Sequence, residues 1–136
     1  FLSRVRPAPF FDEEPPWLGA RRAELIRRYV TPGNHEDDDG VGESVVALTF
    51  FAPADEQWAF IRELIAVAPN DDSVLRRIAA GPVEGLLGQH GATVIERVEA
   101  LAERDAKFRR ILTWVWQHTM PDEIWERVCV ARTGRN

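Results

Sequence analysis

Only one cysteine, Cys129, occurs in the 136 residues, which excludes an internal disulfide framework and points to a reducing compartment. Apolar runs are short; none approaches the roughly eighteen in succession that a bilayer-crossing helix needs. The lone cysteine and the short apolar runs make a cytoplasmic location the expectation; no cationic, apolar and small-residue leader series is seen, but the chain begins at Phe1 rather than Met, which leaves a leader upstream of it open. Neither common glycine-rich phosphate loop is present. Basic charge is thin as well. The formal charge is -5; residues 57–136 carry eleven basic and eleven acidic residues, and residues 31–56 carry seven acids with no Lys or Arg. That balance argues against a nucleic-acid footprint. The six Arg of residues 1–30, set against four acids, keep a nucleic-acid accessory role open as the alternative.

What the chain does have is helical periodicity. A hydrophobic content of 45% over 136 residues supports one domain with a core and hardly two, so residues 1–136 are expected to form a single all-α domain of six to eight short helices. Residues 1–14, with Pro7, Pro9, Phe10 and Phe11, suit an extended arm. A helix is predicted from about Trp17 to Val30, with Leu18, Leu25, Ile26 and Tyr29 inward. Residues 31–42 read as an acidic flexible loop. The run Val45 to Phe51 fits a buried strand or a buried helix; helix is the expectation because no second strand-like run could pair with it. Further helices are predicted from Pro53 or Asp55 to Ala68, from Ser73 to Ala80 behind an Asp71 or Asp72 cap, from Ala92 to Arg104, from an Asp105 cap to about Gln117, and from Pro121 onward, with Ile124, Trp125, Val128 and Cys129 on its apolar stripe.

Between the helix ending at Ala80 and the helix starting at Ala92 lies a predicted corner. Gly81 can adopt the left-handed conformation that ends a helix, Pro82 suits the first turn of the next, Glu84 complements that helix's N-terminus, and Gly91 closes it beside His90. Sliding the chain along itself by 33 or 34 residues aligns Leu75-Arg76-Arg77-Ile78 with Phe108-Arg109-Arg110-Ile111. Stacked helical hairpins of HEAT-like type are the arrangement such an echo suggests.

The residues of the corner, Ala79-Ala80-Gly81-Pro82-x-Glu84-x-Leu86-Leu87-x-x-His90-Gly91, together with Ile95-x-x-Val98-Glu99 and Phe108-Arg109-x-x-Leu112-x-x-Val115-Trp116, resemble a family of small bacterial helical proteins classed as a domain of unknown function. The resemblance spans roughly residues 54 to 130 and includes Trp58 on the helix before the corner. It implies a helical fold, and no catalytic residues are established for the family.

Nor do the polar residues converge on a reaction. Glu84 and His90, six apart, fall on different faces of a short helix. His35 with Glu36, Asp37, Asp38 and Asp39 lacks the spacing of a calcium loop. His118 has only Asp122 and Glu123 as sequence-near carboxylates, and Cys129 lies on an apolar stripe. No nucleophile pairs with a base, so a small hydrolase or metal protein is a further alternative rather than the expectation. Five Trp in 136 residues is a high content, and Trp114 and Trp116 flank the stripe of their predicted helix. The favoured reading is a non-enzymatic protein-interaction module, an inhibitor or immunity-type partner, that binds another protein through Trp114, Trp116 and Trp125 and needs no cofactor. A homodimer stays open.

Overall fold

The computed structural model describes residues 16–32 and 52–133, with side chains from residue 23 onward in the first stretch. The arm expected over residues 1–14, the acidic loop beyond Pro32, the His35 to Asp39 cluster and the Val45 to Phe51 run lie outside the described residues. All regular structure among the described residues is helical: α1 (Pro16–Tyr29), α2 (Ala54–Val67), α3 (Asp72–Ile78), a π turn (Ala79–Val83), α4 (Glu84–Arg104), α5 (Ala106–Leu112) and α6 (Asp122–Ala131).

Local signals fix several starts. The Asp71 Oδ1 accepts the N-H groups of Ser73 at 3.0 Å and Val74 at 3.2 Å, so Asp71 rather than Asp72 caps α3. Asp105 does the same for α5 through the N-H of Phe108, at 3.0 Å. Helices α2 and α6 follow Pro53 and Pro121 and place Asp55 with Glu56, and Asp122 with Glu123, in their first turns, where negative charge meets the positive end of the helix dipole.

The expected helix stop at Gly81 is absent. Helix α3, the π turn and α4 form one continuous rod, so that the described residues make five helical bodies. Pro82 sits inside the π turn. A proline lacks the N-H of an α turn and its ring collides with the carbonyl four residues back; opening the turn by one residue relieves both. Closure passes instead to the Glu84 N-H, which donates to the carbonyls of Ala79 and Gly81. Gly81 therefore ends nothing: a Cβ built on it would lie 3.0 Å from Tyr29 Oη. Gly91 is likewise buried within α4, and its Cβ would lie 2.9 Å from Ile124 Cγ2 on α6. A break does occur beside it, because His90 (φ -133, ψ 27) kinks α4.

Three helix C-termini are closed by cations from distant elements. Arg77 Nη1 donates to Tyr29 O at 2.7 Å and Thr31 O at 3.2 Å after α1. Lys107 Nζ donates to Ile65 O at 2.8 Å and Ala68 O at 2.6 Å after α2. Arg109 Nη1 donates to Ala102 O at 2.6 Å near the end of α4. Each cation meets otherwise unpaired carbonyls at the negative end of a dipole.

The two copies of the sequence echo play matching parts in the core. Leu75 and Ile78 on α3, and Phe108 and Ile111 on α5, are fully buried. The Phe108 ring meets that of Trp58 edge to face, with centroids 6.0 Å apart. Gln57, the buried polar side chain among them, donates from Nε2 to Ala52 O at 2.7 Å and to Gln89 Oε1 at 3.3 Å, tying α2 to the rod just before the kink. Cys129 departs from its expected place on the apolar stripe and is only half-buried.

A candidate protein interface around Trp116

Helix α5 stops at Leu112 rather than continuing to Gln117. Thr113 Oγ1 donates to Arg110 O at 2.6 Å, a local bond that competes with helix continuation. The chain then runs without regular structure from Val115 to Gln117 before a turn at His118. Trp114 and Trp116 are therefore not flanks of one helical stripe.

Glu84 holds this segment. It was expected to complement the N-terminus of its own helix; instead its side chain points across to the segment, and Oε2 accepts the Trp116 N-H at 2.8 Å. Its other oxygen, Oε1, lies 3.2 Å from His118 Nε2. Glu84 is well shielded, its side chain 11% exposed, whereas that of His118 is 67% exposed. His118 is also the residue with left-handed backbone, at φ 45, a conformation that costs a non-glycine residue about 1 kcal/mol or more and persists only where surrounding contacts over-determine it. Those contacts are present. Gln117 Nε2 donates to Met120 O at 3.0 Å and Asp122 Oδ1 at 2.7 Å, Met120 is buried, and Thr119 presses on Gly88, where a Cβ would lie 2.8 Å from Thr119 Oγ1.

The three tryptophans proposed from the sequence separate clearly. Trp114 is half-buried against the core, with the guanidinium carbons of Arg76 and Arg110 at 5.2 and 5.7 Å from its ring centroid. Trp125 also packs on the core, under Arg132 at 5.3 Å. Trp116 is 70% exposed. Of the three, Trp116 is thus the one that stands largely in solvent.

His90 and Glu84 are not brought together: His90 stands at the kink and Glu84 turns to His118. That pairing, across 34 positions, was not visible in the sequence, which offered His118 only Asp122 and Glu123. The one hint was the run Thr113 to Trp116, whose β-branched and aromatic residues are indifferent helix formers. A glutamate beside a histidine can move protons, but Glu84 is the only polar partner of His118 among the described residues, and no hydroxyl or thiol there joins the pair as a nucleophile. No group of three or more His, Cys, Asp or Glu among the described residues could hold a metal ion. No helix among them is long and apolar enough to cross a membrane.

The sequence model of DUF6869, a family of unknown function, matches residues 33–136. The chain belongs to this family. Over 108 residues it is also 28% identical to a 2-C-methyl-D-erythritol 4-phosphate cytidylyltransferase of Pseudomonas entomophila (strain L48), a match that covers 76% of this chain. The chain spans 45% of the length of that curated relative. No solved structure matches it. Within the DUF6869 match lie the whole rod and the Trp114 to His118 segment.

Proposed function

We propose that this DUF6869 protein is a non-enzymatic protein-interaction module of a bacterial cytoplasm, an inhibitor or immunity-type partner whose binding surface centres on Trp116. The carrying observation is that a 70% exposed indole stands on an irregular segment clamped by Glu84 and strained at His118. Exposed large aromatics on pre-ordered backbone are what interface anchors are made of, since little ordering entropy remains to be lost on binding. In this proposal the helices form a stacked-hairpin scaffold of HEAT-like type, with the rod as its axis. The glycines at 81, 88 and 91 give no support to nucleotide chemistry such as the relative's name describes: they lie inside the rod, where they accommodate neighbouring side chains, and form no phosphate-cradling loop.

The test is pull-down of the partner from the native cell, followed by Trp116→Ala. The complex should weaken by about thirtyfold, the ~2 kcal/mol of an interface anchor, with unchanged helicity by circular dichroism. Trp114→Ala and Trp125→Ala, which remove core-packed rings, should lower the melting temperature instead. Full affinity in Trp116→Ala would show that the surface is elsewhere. Sedimentation of the free protein decides whether the partner is a second copy.

A further inference from the structure

We infer that the partner presents a carboxylate beside an apolar side chain, and that Arg76, held on the face of Trp114, receives it. The inference rests on the Trp116 reading and adds the chemistry of the partner to it.

Most of the arginines around the core are already engaged. Arg77 and Arg109 close helix C-termini, Arg97 pairs with Asp55 at 2.7 Å, and both oxygens of Glu99 bind Arg127. Trp114 is the place where an engaged and an open arginine meet. Arg110, on one part of its ring, donates from Nε to Asp72 Oδ1 at 3.0 Å. Arg76, 5.2 Å from the ring centroid, is exposed and has no carboxylate or carbonyl partner among the described residues. Its guanidinium is pre-positioned by the aromatic ring, so a planar two-oxygen ligand can be met with little further loss of rotamer freedom. The Arg127–Glu99 pair, in which Nε and Nη2 each meet one carboxylate oxygen, shows the same chemistry completed within the chain.

The location joins Arg76 to the anchor. Arg76 and Glu84 are eight residues apart along the rod, and one α turn plus the wider π turn bring them onto the same side. The segment follows that side: Trp114 sits at Arg76, and Trp116 and His118 sit at Glu84. A partner covering Trp116 thus passes next to Arg76. An acidic peptide fits better than a nucleic acid because the surroundings are not broadly basic. Asp72 beside Arg110, Glu84 beside Trp116 and Asp122 beside Gln117 lie along the segment and would repel a continuous phosphate backbone, whereas a single carboxylate needs only one guanidinium.

A phage-displayed library of random linear peptides panned on the full chain tests this. Enriched peptides should carry Asp or Glu next to Leu, Phe or Trp. Fluorescence anisotropy of an enriched peptide should show at least a tenfold loss of affinity for Arg76→Glu, partial retention for Arg76→Lys, and a loss for Trp116→Ala, with all three variants melting as the parent does. Enrichment of neutral or basic peptides, no enrichment, or equal affinity of Arg76→Glu overturns the proposal. So does tighter Arg76-dependent binding of a mixed-sequence single-stranded RNA. Loss with Trp116→Ala but none with Arg76→Glu would remove the carboxylate and leave the Trp116 surface standing; no loss with either would remove both.

Discussion

His118 stores backbone strain at φ 45 while its imidazole stands largely in solvent, and the two facts make separable demands. Glycine relieves a left-handed backbone, and the exposed contact to Glu84 contributes little to stability. His118→Gly is therefore expected to leave the melting temperature unchanged or to gain up to about 1 kcal/mol in urea denaturation. A clear loss would show that the imidazole holds the segment in place. Glu84 should behave in the opposite way. Its carboxylate is shielded and accepts the backbone N-H of Trp116, so Glu84→Ala is expected to cost about 1 to 2 kcal/mol and to alter tryptophan emission. Neither role could be read from sequence, because Glu84 looked like a first-turn acid and lies more than thirty positions from the atoms it holds.

At the scale of elements, the glycines set two arguments against each other. Replacing a mid-helix glycine by alanine ordinarily stabilises by about 1 kcal/mol, yet a Cβ on Gly91 would press on Ile124 at 2.9 Å, in a core where overpacking costs about 1 to 3 kcal/mol. Packing should win at Gly91, and Gly91→Ala should be destabilising in urea titration. Combining it with Ile124→Ala should cost less than the sum of the two single changes, since the second removes the atoms that the first displaces. Gly88→Ala should be milder, because its neighbour Thr119 belongs to an exposed turn. The same glycines show where local reading stops. Asp71 and Asp105 were legible as caps because a cap is decided within four residues. Gly81-Pro82 has the grammar of a helix stop, but the chain runs on through a π turn that holds Pro82, and the neighbour a side chain at Gly81 would meet is Tyr29, more than fifty positions earlier. The caps made by Arg77, Lys107 and Arg109 are tertiary in the same sense, and Thr113 ended a helix whose apolar stripe ran on to Val115.

Across the whole molecule, Tyr29 offers a direct reading of how α1 is held. It is the single tyrosine of the chain, its hydroxyl donates to Arg77 O at 3.1 Å, and burial pushes its pKa up to about 12, with the Arg77 charge acting the other way. A folded-state value above the unfolded one, near 10, means that the stabilisation is complete below pH 10 and is lost as the pH rises toward 12. About two units correspond to roughly 2 to 3 kcal/mol. Tyrosinate absorbance should thus appear only near pH 12, together with a fall in stability; ionisation near pH 10 with helicity intact would show that α1 does not bury the ring against the rod. The all-helical class was legible because long amphipathic periods are averaged over many residues. The placement of α1 was not, because it depends on contacts with Arg77, nearly fifty positions on, whose carbonyl accepts the Tyr29 hydroxyl and whose guanidinium meets the carbonyls of Tyr29 and Thr31.

The rod from Asp72 to Arg104, continuous across the π turn and kinked at His90, also governs how the protein comes apart. In arrays whose repeats merely touch, an end unit can melt while its neighbours stay folded. Here the backbone that carries Leu75 and Ile78 runs on through the closed π turn and, past the kink at His90, into the helical segment that carries Val94 and Val98. Loosening one end shifts the axis of the other. Native-state hydrogen exchange should therefore find the amides around Ile78 and Val98 opening as one unit, at the free energy of global unfolding and with the same dependence on denaturant. The π turn, which in sequence resembles a place to divide the molecule, is where its two halves share a single cooperative fate.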